Sequence, residues 1–125
     1  MEYKYETLDV TVEEGIAVVK LNRPDKMNPL SQQMLGELGQ VFVGLRTDND
    51  VRVVVLTGAG RAFCAGGDLN DMLGGGLKLD YTTGRILGQT IQAIQAIEKP
   101  VIGAANGIAA GGGAGLLLAC DVIYA

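Results

Sequence analysis

An α/β fold with parallel strand pairing is what this 125-residue sequence predicts. Three observations carry that expectation. Short apolar, β-branched runs lie at 16–21, 51–57 and 101–105; two longer segments between them place apolar residues at three- and four-residue spacing; and nineteen glycines are too many for a helical bundle. Strand and helix in alternation imply parallel neighbours joined by right-handed crossovers.

Each element has its own signal. Leu8-Asp9-Val10-Thr11-Val12 alternates apolar and polar, Glu14-Gly15 turns the chain, and Ile16-Ala17-Val18-Val19-Lys20-Leu21 returns it, which is a β-hairpin. Arg23-Pro24-Asp25-Lys26-Met27-Asn28-Pro29 is a loop, because each proline lacks an N–H and restricts the residue before it. Ser31 caps a helix whose Met34, Leu35, Leu38, Val41, Phe42 and Leu45 share one face, ending near Thr47-Asp48-Asn49-Asp50. The strand at 51–57 follows. A second amphipathic helix runs over 81–97, with Leu87, Ile91, Ile94 and Ile97 on one side, and Glu98-Lys99-Pro100 stops it. Residues 101–105 form a short buried strand and 113–119 suit a closely packed third helix. Val122-Ile123-Tyr124-Ala125 begins another strand, an apolar segment that wants a neighbour on both sides, so the chain reads as part of a longer polypeptide.

Composition bounds the function. One domain fits this length, and such a chain buries about 65% of the surface its unfolded form exposes. Ten basic residues against fourteen acidic ones leave a net charge of −4, which argues against broad binding to nucleic acid or anionic membrane. No apolar run reaches the roughly 18 residues of a membrane span, and the first residues lack the pattern of a signal peptide, so a cytoplasmic protein is expected. Cys64 and Cys120 lie far apart without metal-ligand spacing; they read as buried free thiols, and no metal is expected. With no histidine, a Ser-His-Asp or Cys-His arrangement within the chain is excluded. Catalysis is left to carboxylates, backbone dipoles or a partner.

The candidate chemistry lies in two glycine-rich turns: Cys64-Ala65-Gly66-Gly67-Asp68, after the run at 53–57, and Gly111-Gly112-Gly113-Ala114-Gly115, after the run at 101–105. Glycine lets the main chain approach a ligand closely and adopt positive φ, so its N–H groups can be aimed outward. Gly58-Ala59-Gly60-Arg61-Ala62-Phe63 fails the last position of a dinucleotide fingerprint, and no phosphate-binding G-x-x-x-x-G-K-[ST] occurs. What remains is a pair of backbone donors from separate loops, the arrangement of an oxyanion hole. From spacing alone, tight turns serve nearly as well as an explanation.

Several motifs together go further. Leu21-Asn22-Arg23-Pro24-Asp25-Lys26-Met27-Asn28, Val53-Val54-Val55-Leu56-Thr57-Gly58, Ala62-Phe63-Cys64-Ala65-Gly66-Gly67-Asp68-Leu69, Lys99-Pro100-Val101-Ile102, Asn106-Gly107, and Gly111-Gly112-Gly113 followed by Ala119-Cys120-Asp121 resemble, in order and spacing, the enoyl-CoA hydratase/isomerase (crotonase) family. The resemblance spans nearly the whole chain. It implies a right-handed spiral of ββα units, of which residues 1–125 would be the N-terminal part of a single domain without its C-terminal portion. It also implies assembly as homotrimers or hexamers, an acyl-CoA thioester as substrate, and no separate cofactor.

Carried over residue by residue, the resemblance implies that the N–H groups of Gly67 and Gly112 are the two oxyanion donors. They would polarise the thioester carbonyl and stabilise the enolate formed when the α-carbon gains or loses a proton. It further implies that Ala65, Gly66, Asp68 and Leu69, with Lys26 and Met27 alongside, bind CoA. Lys26 and Arg23 are basic residues in an acidic chain, where CoA phosphates would need them; ordinary solvated loop charges explain them equally. Asp68 after two glycines reads as a local backbone acceptor or helix cap, and Asp121 as a structural acid.

One position departs from the family's hydratases, which carry a glutamate three residues after the middle glycine of the triplet and a second some twenty residues on. Here the first position is Gly115 and the second falls beyond Ala125. Water addition needs two carboxylates, whereas isomerisation needs one proton shuttle, so the expectation is isomerase-like enolate chemistry. Glu98 precedes the strand at the end opposite the glycine triplet and does not substitute. A catalytically silent CoA-binding protein is the alternative, and an RNA-binding role has little support from the charge.

Overall fold

The computed structural model describes residues 2–67 and 79–125, with side chains for all of these except 79–83. The chain runs β1 (Leu8–Glu13), β2 (Ile16–Leu21), a 3-10 turn (Pro24–Lys26), α1 (Gln32–Thr47), β3 (Val53–Gly58), β4 (Ala62–Cys64), α2 (Leu79–Gln95), β5 (Val101–Ala104), β6 (Ile108–Ala109), α3 (Gly112–Leu118) and β7 (Val122–Tyr124). Strand, strand, helix therefore repeats three times before β7 opens the next turn.

The principal sheet has the order β1-β2-β3-β5-β7. Its first pair is the expected antiparallel hairpin, with Leu8 opposite Leu21 and Glu13 opposite Ile16. The turn places Glu14 at φ 52° and Gly15 at φ 80°, so the second position suits glycine. Every later pair is parallel, Val54 meeting Val101 and Ile102 meeting Val122, and each crossover passes through a helix. β7 pairs with β5 on one side only, and Val122, Ile123 and Tyr124 are exposed.

Helix α1 begins where its cap demands. Ser31 keeps extended backbone and its Oγ accepts the Met34 N–H at 3.0 Å, satisfying one of the donors left unpaired by the first turn. The apolar face, Met34, Leu35, Leu38, Val41, Phe42 and Leu45, is buried as its spacing requires. It packs with Val19, Leu21, Val54 and Leu56 from alternate positions of the central strands, with Ile94 near the end of α2 and with Ile97 just beyond it. Full burial of side chains of this size contributes about 1.5–3 kcal/mol each, so this layer dominates the stability of the fold.

Charged groups fasten the outside of this layer. The Glu37 carboxylate on α1 accepts the Thr7 N–H at 2.9 Å and hydrogen bonds from the Thr7 hydroxyl and the Gln33 amide, tying the approach to β1 onto the helix. Burial alone would raise that carboxyl, but these bonds, with one from the Glu6 N–H, hold it below its ordinary range. At the other end of α1, Lys99 Nζ donates to the Leu45 and Asp48 carbonyls at 2.6 and 2.8 Å, placing a cation on carbonyls that also accept the Asp48 and Val51 N–H groups, at the negative end of the helix. Tyr3 donates its hydroxyl to Asp48 at 2.7 Å, and that bond, with the Asp50 N–H, lowers the Asp48 carboxyl.

The sequence did not announce the second sheet. β4 and β6 form a two-stranded parallel pair, Ala62 opposite Ile108 and Cys64 opposite Ala109. Strands of three and two residues are too short to show any periodicity. They correct the expected connections, because the glycine-rich turns leave from β4 and β6 and not directly from the longer strands β3 and β5. Helix α2 also starts two residues earlier than expected, and α3 one residue earlier, at Gly112.

Candidate functional site

The parallel pairing of β4 with β6 carries both glycine turns out from the same end of the small sheet. Their contact is main chain on main chain. The Ala110 N–H donates to the Cys64 carbonyl at 3.0 Å. A Cβ built on Gly66 would lie 3.3 Å from the Ala110 carbonyl oxygen, and one on Gly113 would lie 2.6 Å from the Cys64 oxygen and 2.8 Å from its Sγ. Gly66 at φ 114° and Gly111 at φ 54° occupy backbone that other residues rarely adopt. These glycines are needed for the close approach of the two turns as well as for their shape.

A third segment completes the cluster. The Ala65 N–H donates to the Met27 carbonyl at 3.0 Å, and the Leu30 N–H donates to the Gly66 carbonyl at 2.6 Å in a parallel bridge between Leu30 and Gly67. That bridge consumes the Gly66 carbonyl and not the Gly67 N–H. Among the described residues, neither Gly67 nor Gly112 donates its N–H to a protein acceptor. Gly112 opens α3, and the first N–H groups of a helix have no partner within it. Beside it a Cβ would meet Leu30 Cδ1 at 2.9 Å and Leu87 Cδ2 at 3.3 Å, so an apolar wall lies against the second donor. Two donors without acceptors among the described residues, on adjoining loops and one of them flanked by leucines, can receive an electron-rich oxygen.

The structure brings Met27, Ala65, Gly66, Gly67 and Gly112 together. Lys26 ends the 3-10 turn just ahead of Met27 and is exposed. Asp68 and Leu69, expected to bind CoA, lie outside the described residues. Among the described residues, a Cβ on Gly115 would meet Ile91 Cδ1 alone within 4 Å, at an ordinary 3.8 Å. Two other acids have structural partners. Asp121 accepts the Val101 N–H at 2.8 Å, and Glu98 pairs with Arg46 at the surface.

Both cysteines are free and buried. Burial pushes the Cys120 thiol up to about 11 and raises Cys64 as well, so neither is a thiolate nucleophile near neutral pH. Sequence reasoning missed the side chains that brace the turn before β4. Asn28 and Asn106 reach across to its carbonyls, although both stand within the motifs of the resemblance, which gave their side chains no role.

Comparison with known proteins agrees with this architecture. The family described as Enoyl-CoA hydratase/isomerase matches residues 11–125. A probable enoyl-CoA hydratase of Rhodobacter capsulatus is 43% identical over 97% of this chain and 46% of its own length. The 1,2-epoxyphenylacetyl-CoA isomerase of Escherichia coli is 38% identical over 91% of this chain and 45% of its own. The crystal structure of an enoyl-CoA hydratase from Bacillus anthracis superposes with a TM-score of 0.90 at 36% identity, covering 94% of this chain and 46% of that one. A crotonase-type structure from Legionella pneumophila gives 0.88 at 31% identity. The chain thus spans about half the length of the relatives it matches. Its repeating strand-strand-helix order and its match along residues 11–125 establish that the chain belongs to the enoyl-CoA hydratase/isomerase family, with the crotonase-like fold.

Proposed function

We propose that this chain supplies the carbonyl-polarising half of an acyl-CoA site, in which the N–H groups of Gly67 and Gly112 receive the thioester oxygen and stabilise the enolate made at the α-carbon. The observation that supports the reading is the pair of N–H groups, on adjoining glycine turns, that find no acceptor among the described residues. Charge that develops on the oxygen in the transition state strengthens both bonds, which is how such donors accelerate a reaction rather than merely bind its substrate. Lys26, Met27, Ala65, Gly66, Asp68 and Leu69 hold the CoA moiety, no separate cofactor takes part, and the chain works as the N-terminal part of a cytoplasmic homotrimer or hexamer.

Gly115 favours isomerase-like proton shuttling over hydration, because position 115 itself carries no carboxylate to activate water. Replacing Gly67 with proline deletes one donor N–H. Loss of an oxyanion donor typically costs about 10²- to 10³-fold in turnover, so acyl-CoA binding should persist while turnover collapses by that factor. Turnover equal to that of the parent protein would remove Gly67 from the mechanism. The same glycine at 115 supports a second reading, a catalytically silent CoA-binding protein. Exchange of the α-proton of a bound acyl-CoA in deuterated water separates the two: exchange excludes the silent protein, and binding without exchange selects it.

A further inference from the structure

We infer that Asn28 is a positioning residue that sets the Gly67 N–H, an assignment that rests on Gly67 being a donor to the thioester oxygen. Asn28 is fully buried and sits at φ 53°, directly after Met27 at φ 65°. Asparagine tolerates this left-handed backbone better than most residues, and two consecutive non-glycine residues held there mark a segment whose shape is imposed by its surroundings. The surroundings are hydrogen bonds. Asn28 Nδ2 donates to the carbonyls of Ala59, Ala62 and Phe63 at 2.9, 3.0 and 3.2 Å, and Oδ1 accepts the Arg23 N–H at 2.7 Å. One side chain therefore grips the turn after β3, strand β4 and the start of its own loop.

From that grip the path to Gly67 is continuous main chain. Beyond Phe63, the Cys64 carbonyl is held by Ala110, the Ala65 N–H by the Met27 carbonyl, and the Gly66 carbonyl by the Leu30 N–H. Two of these three bonds come from residues flanking Asn28 itself. Its amide and its backbone neighbours thus fasten residues 62–66 to residues 27–30 as one layer, and the Gly67 peptide leaves from the end of that layer. Asn106 braces the same turn differently. Its Nδ2 donates to Gly60 and Ala62 at 2.9 and 3.0 Å and its Oδ1 accepts the Gly58 N–H at 3.1 Å, but among the described residues its backbone neighbours make no hydrogen bond to residues 65–67. Loosening either asparagine weakens the turn, while only Asn28 transmits the change to the donor.

The test compares Asn28→Gly, which keeps the backbone conformation and removes the amide, with Asn106→Ala, both made in the intact protein. The probe is butyryl-CoA labelled with ¹³C at the thioester carbonyl, read by isotope-edited infrared difference spectra alongside steady-state kinetics. The expected result for Asn28→Gly is a kcat lower by about 100-fold, as for a small misplacement of a catalytic group, with KM changed by no more than about threefold. The carbonyl shift to lower frequency seen on binding the parent protein should fall by half or more in Asn28→Gly and persist in Asn106→Ala, even though both lose thermal stability. A second variant, Asn28→Ser, retains one short donor and acceptor and gives an intermediate shift if the glycine variant does not fold. A full parental shift in any folded Asn28 variant overturns the positioning role and leaves the oxyanion reading standing. Absence of the shift in the parent protein overturns the oxyanion reading and the positioning role with it.

Discussion

The two ends of this molecule are held by different kinds of bond. Around α1, ionisable side chains do the fastening: Glu37 holds Thr7, Lys99 closes the end of the helix, and Tyr3 rests on Asp48. Around the glycine turns, carbonyls, N–H groups and two neutral amides hold the chain, with glycines where a side chain has no room. The difference teaches where each physical sensitivity lies. The described bonds of the α1 end respond to pH, whereas those of the glycine end join uncharged groups, and at Gly107 and Gly113 there is no room for a methyl group.

The sharpest way to break the comparison is to add that methyl group. A Cβ on Gly107 would fall on top of the Arg61 carbonyl oxygen, which is backbone and has no rotamer to yield. Gly107→Ala is expected to destabilise the fold by about 3 kcal/mol or more, read by urea or thermal unfolding; a loss below 1 kcal/mol would show that the small sheet is looser than its geometry. At the charged end the effect is smaller. Lys99→Met keeps the aliphatic stem but leaves the Leu45 and Asp48 carbonyls without their cation, and about 2 kcal/mol should be lost in the same measurement.

Acid should discriminate between the ends next. The Glu37 and Asp48 carboxyls are both lowered in the folded chain, so their contribution is fully present above the ordinary carboxylate range and is lost as pH falls through the lower folded values. Stability should therefore decline below about pH 4, and the double variant Glu37→Gln, Asp48→Asn should flatten that decline while starting from a lower plateau. An unchanged slope would assign the acid sensitivity elsewhere. The smallest expected effect is at Gly115, where a Cβ meets only Ile91 at ordinary contact distance inside a helix. Gly115→Ala should be neutral or stabilising by up to about 1 kcal/mol, in contrast to its neighbour Gly113, whose Cβ would collide with Cys64.

Much of the fold was legible because it rests on local rules. The β1–β2 hairpin followed from alternation and Glu14-Gly15, and α1 from Ser31 and six apolar residues on one face, each with strong short-range signals. α2 ends at Gln95, two residues short of the expected 97, and the chain has left helical backbone by Glu98 at φ 61°, ahead of Pro100. The short strands β4 and β6 escaped because two or three residues carry no period, and their pairing joins segments more than forty residues apart. The site was legible in part. Gly66, Gly67 and Gly112 stood out by composition and by resemblance, whereas Asn28 looked like any turn asparagine beside a proline.

Composition, spacing and caps by themselves determined that this chain alternates strands and helices, that it buries one face of α1, and that two glycine turns contain its most permissive backbone. Those properties are set within a few residues of where they occur. Which of the glycines approach one another was decided only by the tertiary structure, when β4 and β6 paired in parallel and residues 27–30 bonded to residues 65–66. The reason is physical: an N–H becomes an available donor only when every other acceptor within reach has been taken or turned away, and that condition depends on all the neighbours at once.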